Sequence, residues 1–209
     1  NAPLSIGLEV DAAMGTTLVS VYAADHPGLF YRIAGAISLG GANILDARIH
    51  TTRDGQALDN FVVADPLGHP FAEAGQLARL KRSIEDVLTG KVRLADRLAA
   101  RPLARRRAEA FRVEPNVLID NRASNRYTVV EVNALDRPAL LWSLTHALFA
   151  ARLAIQSAHI ATYGERAVDV FYLTDLTGEK VADATRLKLL EKRLLELATT
   201  HAPTMLAAE

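Results

Sequence analysis

Apolar positions along this chain follow two rhythms in turn. Residues 17–24 are β-branched and apolar, the pattern of a short strand. Asp25 ends that run and Pro27-Gly28 opens a stretch in which Leu29, Ile33, Ala36 and Ile37 share one helical face. Gly40-Gly41 closes this helix, because glycine tolerates the left-handed conformation of a helix terminus. Residues 43–52 and 56–65 predict a hairpin about Asp54-Gly55. A loop follows at 66–70, and Leu77, Leu80, Ile84 and Val87 then line a second helix.

The same message is written twice. Asp25-His26-Pro27-Gly28-Leu29 returns as Asp136-Arg137-Pro138-Ala139-Leu140, an offset of 111. Ile44, Ala47, Ile49 and Thr51 recur at that offset as Ile155, Ala158, Ile160 and Thr162. Asp59, Phe61, Asp65 and Gly68 recur at an offset of 110, so one residue is lost, where Thr52-Arg53-Asp54-Gly55 meets Tyr163-Gly164. The helical faces repeat as Leu140, Leu144, Ala147, Leu148 and as Leu187, Leu190, Leu194, Leu197. A unit this long is a duplicated domain rather than a solenoid repeat.

Strand, helix, strand, strand, helix is a sheet covered on one face by two helices; a fourth strand would complete a ferredoxin-like unit. Residues 6–10 precede the strand at 17, and Val117-Leu118-Ile119-Asp120 precedes the strand at 127–133 at the same offset. The fold class is therefore α+β, two four-stranded antiparallel sheets each with two helices on one face, in a permuted ββαββα order. The competing reading lets Val117 to Asp120 close the first domain. The expected division is a first domain at 1–90, a charged helical linker at 91–114, a second domain at 115–200 and a tail at 201–209. Within the linker Leu94, Leu98 and Leu103 are spaced for a short helix broken by Pro102, and Arg105-Arg106-Arg107 reads as a solvated face.

Composition narrows the function. The 24 basic and 24 acidic residues balance, which gives no field favouring nucleic acid or an acidic membrane. The absence of cysteine excludes disulfides, thiolate zinc sites and a cysteine nucleophile. No apolar run approaches the roughly 20 residues of a membrane span, and a cytoplasmic setting is expected. Asn1-Ala2-Pro3, without an initiator Met, suggests a tag-cleavage scar and a piece of a longer protein.

A small molecule is best received by the loop at 25–29. A helix start offers unpaired N–H groups and partial positive charge, and Gly28 leaves them open to a carboxylate. Asp25 can cap some of these groups or take an ammonium. Asn43, at the start of the adjacent strand, offers one donor and one acceptor. Asp25, Asp59, Asp136 and Asp169 recur as acids, but no base, nucleophile or metal ligand is grouped with them. Turn and edge roles are expected, with no catalytic residue, no metal site and no cofactor. His146 and His159 read as helix and strand residues. Tyr22, Phe61, Tyr127 and Phe171 lie on strands and are expected to pack beneath helices, which disfavours an RNA-binding role.

Asp25-x-Pro27-Gly28-Leu29 followed by Gly41-x-Asn43-Ile44, on this topology, resembles the ACT domain, a sensing module commonly for amino acids and usually paired so that ligands lie between domains. The resemblance covers nearly the whole chain, in two copies, and implies ligand contacts at Asp25, His26, Gly28, Leu29, Asn43 and Ile44. In the second copy it implies Asp136, Arg137, Ala139, Leu140 and Ile155. Residues 123–132 with Asp136-Arg137-Pro138, and residues 162–172, also resemble the C-terminal region of the bifunctional uridylyltransferase/uridylyl-removing enzymes of the PII nitrogen-signalling protein. That resemblance implies glutamine as ligand, upstream nucleotidyltransferase and HD hydrolase domains that use Mg, and PII as a partner of the parent enzyme. ACT pairing within or between chains is open at this point, as is a stand-alone regulator of the glycine-cleavage-repressor kind. Gly28 and Asn43 together make the first copy the expected better site, since the second has Ala139 and Ala154 at those positions.

Overall fold

The computed structural model describes residues 4–52, 54–99 and 113–199. The readings made on Asn1-Ala2-Pro3, Pro102, Leu103, Arg105-Arg106-Arg107 and 201–209 lie outside the described residues. The first half runs β1 (Ser5–Asp11), β2 (Thr16–Ala24), α1 (Leu29–Leu39), β3 (Asn43–Thr51), β4 (Gln56–Ala64) and α2 (Ala74–Leu88). A short α3 (Leu94–Ala99) follows. The second half runs β5 (Asn116–Asp120), β6 (Thr128–Leu135), α4 (Leu140–Ala150), β7 (Leu153–Tyr163), β8 (Arg166–Asp175) and α5 (Ala184–Thr199). Each half is a ββαββα unit of the ferredoxin-like type.

The units share one eight-stranded antiparallel sheet, in the order β1-β2-β4-β3-β7-β8-β6-β5. β5 pairs with β6, so Val117 to Asp120 belongs to the sheet edge of the second half and does not close the first. β3 and β7 meet at the centre, with Asp46 opposite Ala161 and Ala47 opposite Ile160. Pairing of the two units is thus made within one chain.

Strand alternation places the core. Val19, Val21, Phe61 and Val63 in one unit, and Val130, Val132, Phe171 and Leu173 in the other, are sealed beneath the helices. Phe30 of α1 stacks on Phe61 with ring centroids 5.4 Å apart. Tyr22 and Tyr127 depart from their expected places. Val21 already points to the helices, so the period of two turns Tyr22 to the opposite, exposed face. Tyr127 precedes β6 and packs edge-on against Tyr172, which alternates with the buried Phe171 and Leu173. Arg32 donates to the Val87 carbonyl at 2.6 Å and ties α1 to the end of α2. Arg137 serves the repeat-equivalent carbonyl of Leu197 at the end of α5, at 3.2 Å. Helix C-termini leave such carbonyls unpaired and favour a cation beside them.

The seam between units is closed by α1 against α4. Gly35 lets them approach: a Cβ there would lie 2.6 Å from Trp142 Cδ1 and 2.9 Å from Leu94 Cδ1. The buried Leu94 and Leu98 dock α3 on the same core. No helix among the described residues is long and apolar enough to cross a membrane.

Candidate functional site

Both units turn from strand to helix through a left-handed residue, Gly28 at φ 89° and Ala139 at φ 61°. Neither α1 nor α4 has a side-chain cap. The Leu29 N–H is used by the His26 carbonyl at 3.1 Å and the Arg32 N–H by Gly28 at 3.2 Å. The uncapped first turn of α1 remains a place for an anion. Asp25 does not cap this turn. Its Oδ2 instead accepts a bond from Thr51 Oγ1 at 3.1 Å, and its backbone N–H donates to the Gly55 carbonyl at 2.9 Å, pinning the loop to the β3–β4 turn.

Beside this loop lies a cavity of about 180 Å³, below the roughly 300–1,000 Å³ of drug-sized sites and suited to a small metabolite. The loop Asp25 to Leu29 and the first turn of α1 through Tyr31 form one wall. The other unit supplies the opposite wall: Thr145 and Phe149 of α4, and Leu153 to Gln156 of β7. Ile49 and Asp59 contribute from β3 and β4. Of the residues singled out in the sequence, Asp25, His26, Gly28, Leu29 and Ile155 come together here. Asn43, Ile44, Asp136, Arg137, Ala139 and Leu140 do not line this cavity. The position of Asn43 in the repeat is taken here by Ala154, because the antiparallel β3–β7 pairing sets the helix start of one unit against the middle strand of the other.

Two features escaped the sequence. β7 carries a bulge between Ile155 and Ser157, and β3 carries the same irregularity between Ile44 and Asp46. Bulges re-aim side chains next to sites, and Gln156 of the bulge lines the cavity while donating to Thr174 Oγ1 at 3.0 Å. The second feature is the pair of acids assigned to turns and edges. Asp59 and Asp169 sit within β4 and β8, 1% and 2% exposed, because Ala57-x-Asp59-x-Phe61-x-Val63 alternation turns them to the helix face. The Oδ1 of each is buried without a hydrogen-bond partner. Burial, with the charge of Asp25 adding, pushes the Asp59 carboxyl up to about 7. Burial and Asp136 push Asp169 up to about 8.

Aromatic rings continue from the cavity along the seam. Tyr31 meets Phe149 at 5.0 Å and His146 edge-on at 5.1 Å, and His146 stacks on Trp142 at 5.5 Å. Burial, and then the charge of Arg193, holds the His146 imidazole below its usual value. His159, in contrast, is exposed on β7.

Each unit has the ferredoxin-like fold of ACT type, and the two lie side by side with a cavity between them at an uncapped helix start. The ACR family N-terminal ACT domain matches residues 123–201. Over 93% of its length the chain is 64% identical to the bifunctional uridylyltransferase/uridylyl-removing enzyme of Novosphingobium aromaticivorans. It is 57% identical over 94% of its length to that of Erythrobacter litoralis, and 58% identical over 89% to that of Zymomonas mobilis. It is therefore a relative of these enzymes, and spans about a fifth of their length, 21% in the first two.

Proposed function

We propose that the chain is the regulatory, glutamine-sensing module of a cytoplasmic enzyme that attaches uridylyl groups to the PII protein and removes them again. The observation that carries this is the cavity built jointly by the Asp25–Leu29 loop of one unit and the β7 wall of the other. A ligand there touches both units and so can favour one arrangement of the pair, provided it binds two arrangements unequally. Upstream catalytic domains would read that arrangement, with removal of uridylyl groups favoured at high glutamine.

The ligand contacts divide into two sets under this reading. Asp25, His26, Gly28 and Leu29 act with Ile155 in the first. The repeat assigns Asp136, Arg137, Ala139 and Leu140 to a second, facing Asn43 and Ile44. The two advantages credited to the first copy, Gly28 and Asn43, then belong to different sites. Titration calorimetry of the 209-residue chain against the twenty amino acids tests the proposal. Saturable heat with glutamine is expected, and its absence with glutamine while another amino acid binds would overturn the ligand assignment.

A further inference from the structure

A carboxylic acid buried on a cavity wall with an unpaired oxygen is costly unless something supplies a donor. An unmet buried polar group loses its hydration with nothing in return. Asp59 is such a group: it lines the cavity, it is 1% exposed, and its Oδ1 has no partner. Its flanking strand partners, Val21 on β2 and Ile49 on β3, offer no side-chain donor. The titratable groups around the cavity are Asp25 and His26 from the loop and Tyr31 from α1. α4 presents Thr145 and Phe149, and β7 presents Leu153, Ala154, Ile155 and Gln156. His146 stands behind Tyr31 rather than on the wall. Among the described residues neither lysine nor arginine lines the cavity. The cavity thus offers the α1 amides for an anion and the carboxyls of Asp25 and Asp59 for a cation.

We propose that Asp59, as its carboxylate, is the ligand-reading group of this cavity. It accepts a hydrogen bond from the ammonium of an α-amino acid whose carboxylate rests on the α1 amides, so that ligand and proton compete for the same oxygen. This rests on the reading of the cavity as an amino-acid site and adds the group that selects the charged amine. The empty site holds its proton up to about pH 7; the incoming ammonium displaces it. Binding near neutral pH therefore releases a proton, and affinity falls as pH drops below that value.

The test is calorimetry of the 209-residue chain with glutamine, from pH 5.5 to 8.5, in buffers of different ionisation enthalpy. The expected result is proton release on binding at pH 6.5 and affinity that weakens up to about tenfold per unit below pH 7. In Asp59→Asn, glutamine binds more weakly at pH 8, the low-pH fall flattens and proton release drops by half or more. The α-deamino analogue of glutamine, which lacks the ammonium, binds the parent chain with no proton release. The last comparison and the parent's own proton count need no variant, so they decide the matter even if Asp59→Asn folds poorly. Glutamine binding without proton release, or an unchanged pH profile in Asp59→Asn, overturns the role of Asp59 and leaves the amino-acid site standing. Absence of binding by any of the twenty amino acids overturns both.

Discussion

Ala139 holds a left-handed backbone at φ 61°, a conformation that costs an L-residue about 1–2 kcal/mol. Ala139→Gly should stabilise the chain by about 0.5–1 kcal/mol, once glycine's greater freedom in the unfolded state is set against that relief. A denaturant midpoint measures it. The reverse change is harsher, since a Cβ on Gly28 would stand 2.6 Å from Tyr31 Cε1 and 3.1 Å from the Phe149 ring. Gly28→Ala should lose about 2–3 kcal/mol from strain and overpacking, and weaken glutamine binding as well; a midpoint equal to the parent's would mean that Tyr31 swings clear. The two buried acids act on pH dependence. The folded chain keeps their protons where the unfolded chain releases them. Stability therefore falls as pH rises from the ordinary carboxylate value, 3.8, and levels off above about 7 for Asp59 and about 8 for Asp169. Asp169→Asn should flatten the upper part of that fall and stabilise the chain at pH 9 by a few kcal/mol, since each pH unit over which only the folded chain holds the proton costs about 1.4 kcal/mol. Thermal melts across pH check it. Recurrence of both acids was legible in the sequence; their burial was not, because a lone Asp in a strand gives no sign of which face it takes. The neighbours Ala57, Phe61 and Val63 carried that sign.

At the scale of elements, most strands and helices followed from apolar rhythm because they have one sealed face and one wetter one, whereas α4, in the seam, is buried nearly all round. What the rhythm hid was the paired bulge in β3 and β7. One inserted residue shifts pairing register without altering the composition of the run, and Gln156 reads as an ordinary strand residue until its partner strand is known. The close approach of α1 to α4 was equally silent, since Gly35 in a helix looks only like a weak helix former. Its reason is the Trp142 ring against it. Gly35→Val should therefore destabilise the chain by about 2 kcal/mol despite valine's better helix propensity, because an added side chain would drive Trp142 and Leu94 out of place. A midpoint at or above the parent's in urea would refute that account of the seam.

At the scale of the whole molecule, the sequence showed two units but could not say whether they pair within one chain. The β3 and β7 edges are copies of one another, so the same residues could join two chains; the continuous sheet in the order β4-β3-β7-β8 resolves it. A shared sheet and a shared α1–α4 core make the units one cooperative body, which has a measurable consequence. Trp142 is the only tryptophan in the chain, and it lies 6% exposed in the seam, so its fluorescence reports the contact between units while far-UV circular dichroism reports all helices and strands. The two probes should give one coincident urea transition, with calorimetric and van't Hoff enthalpies equal. A tryptophan transition at lower urea than the circular dichroism would mean that the units part before they unfold. Glutamine, bound across the seam, should move both probes together, by about 2.7 kcal/mol at a free concentration one hundred times its Kd. A ligand that shifted only the tryptophan transition would be holding the units together without stabilising either. In that case the seam, rather than the fold of each unit, would be the element that carries the signal.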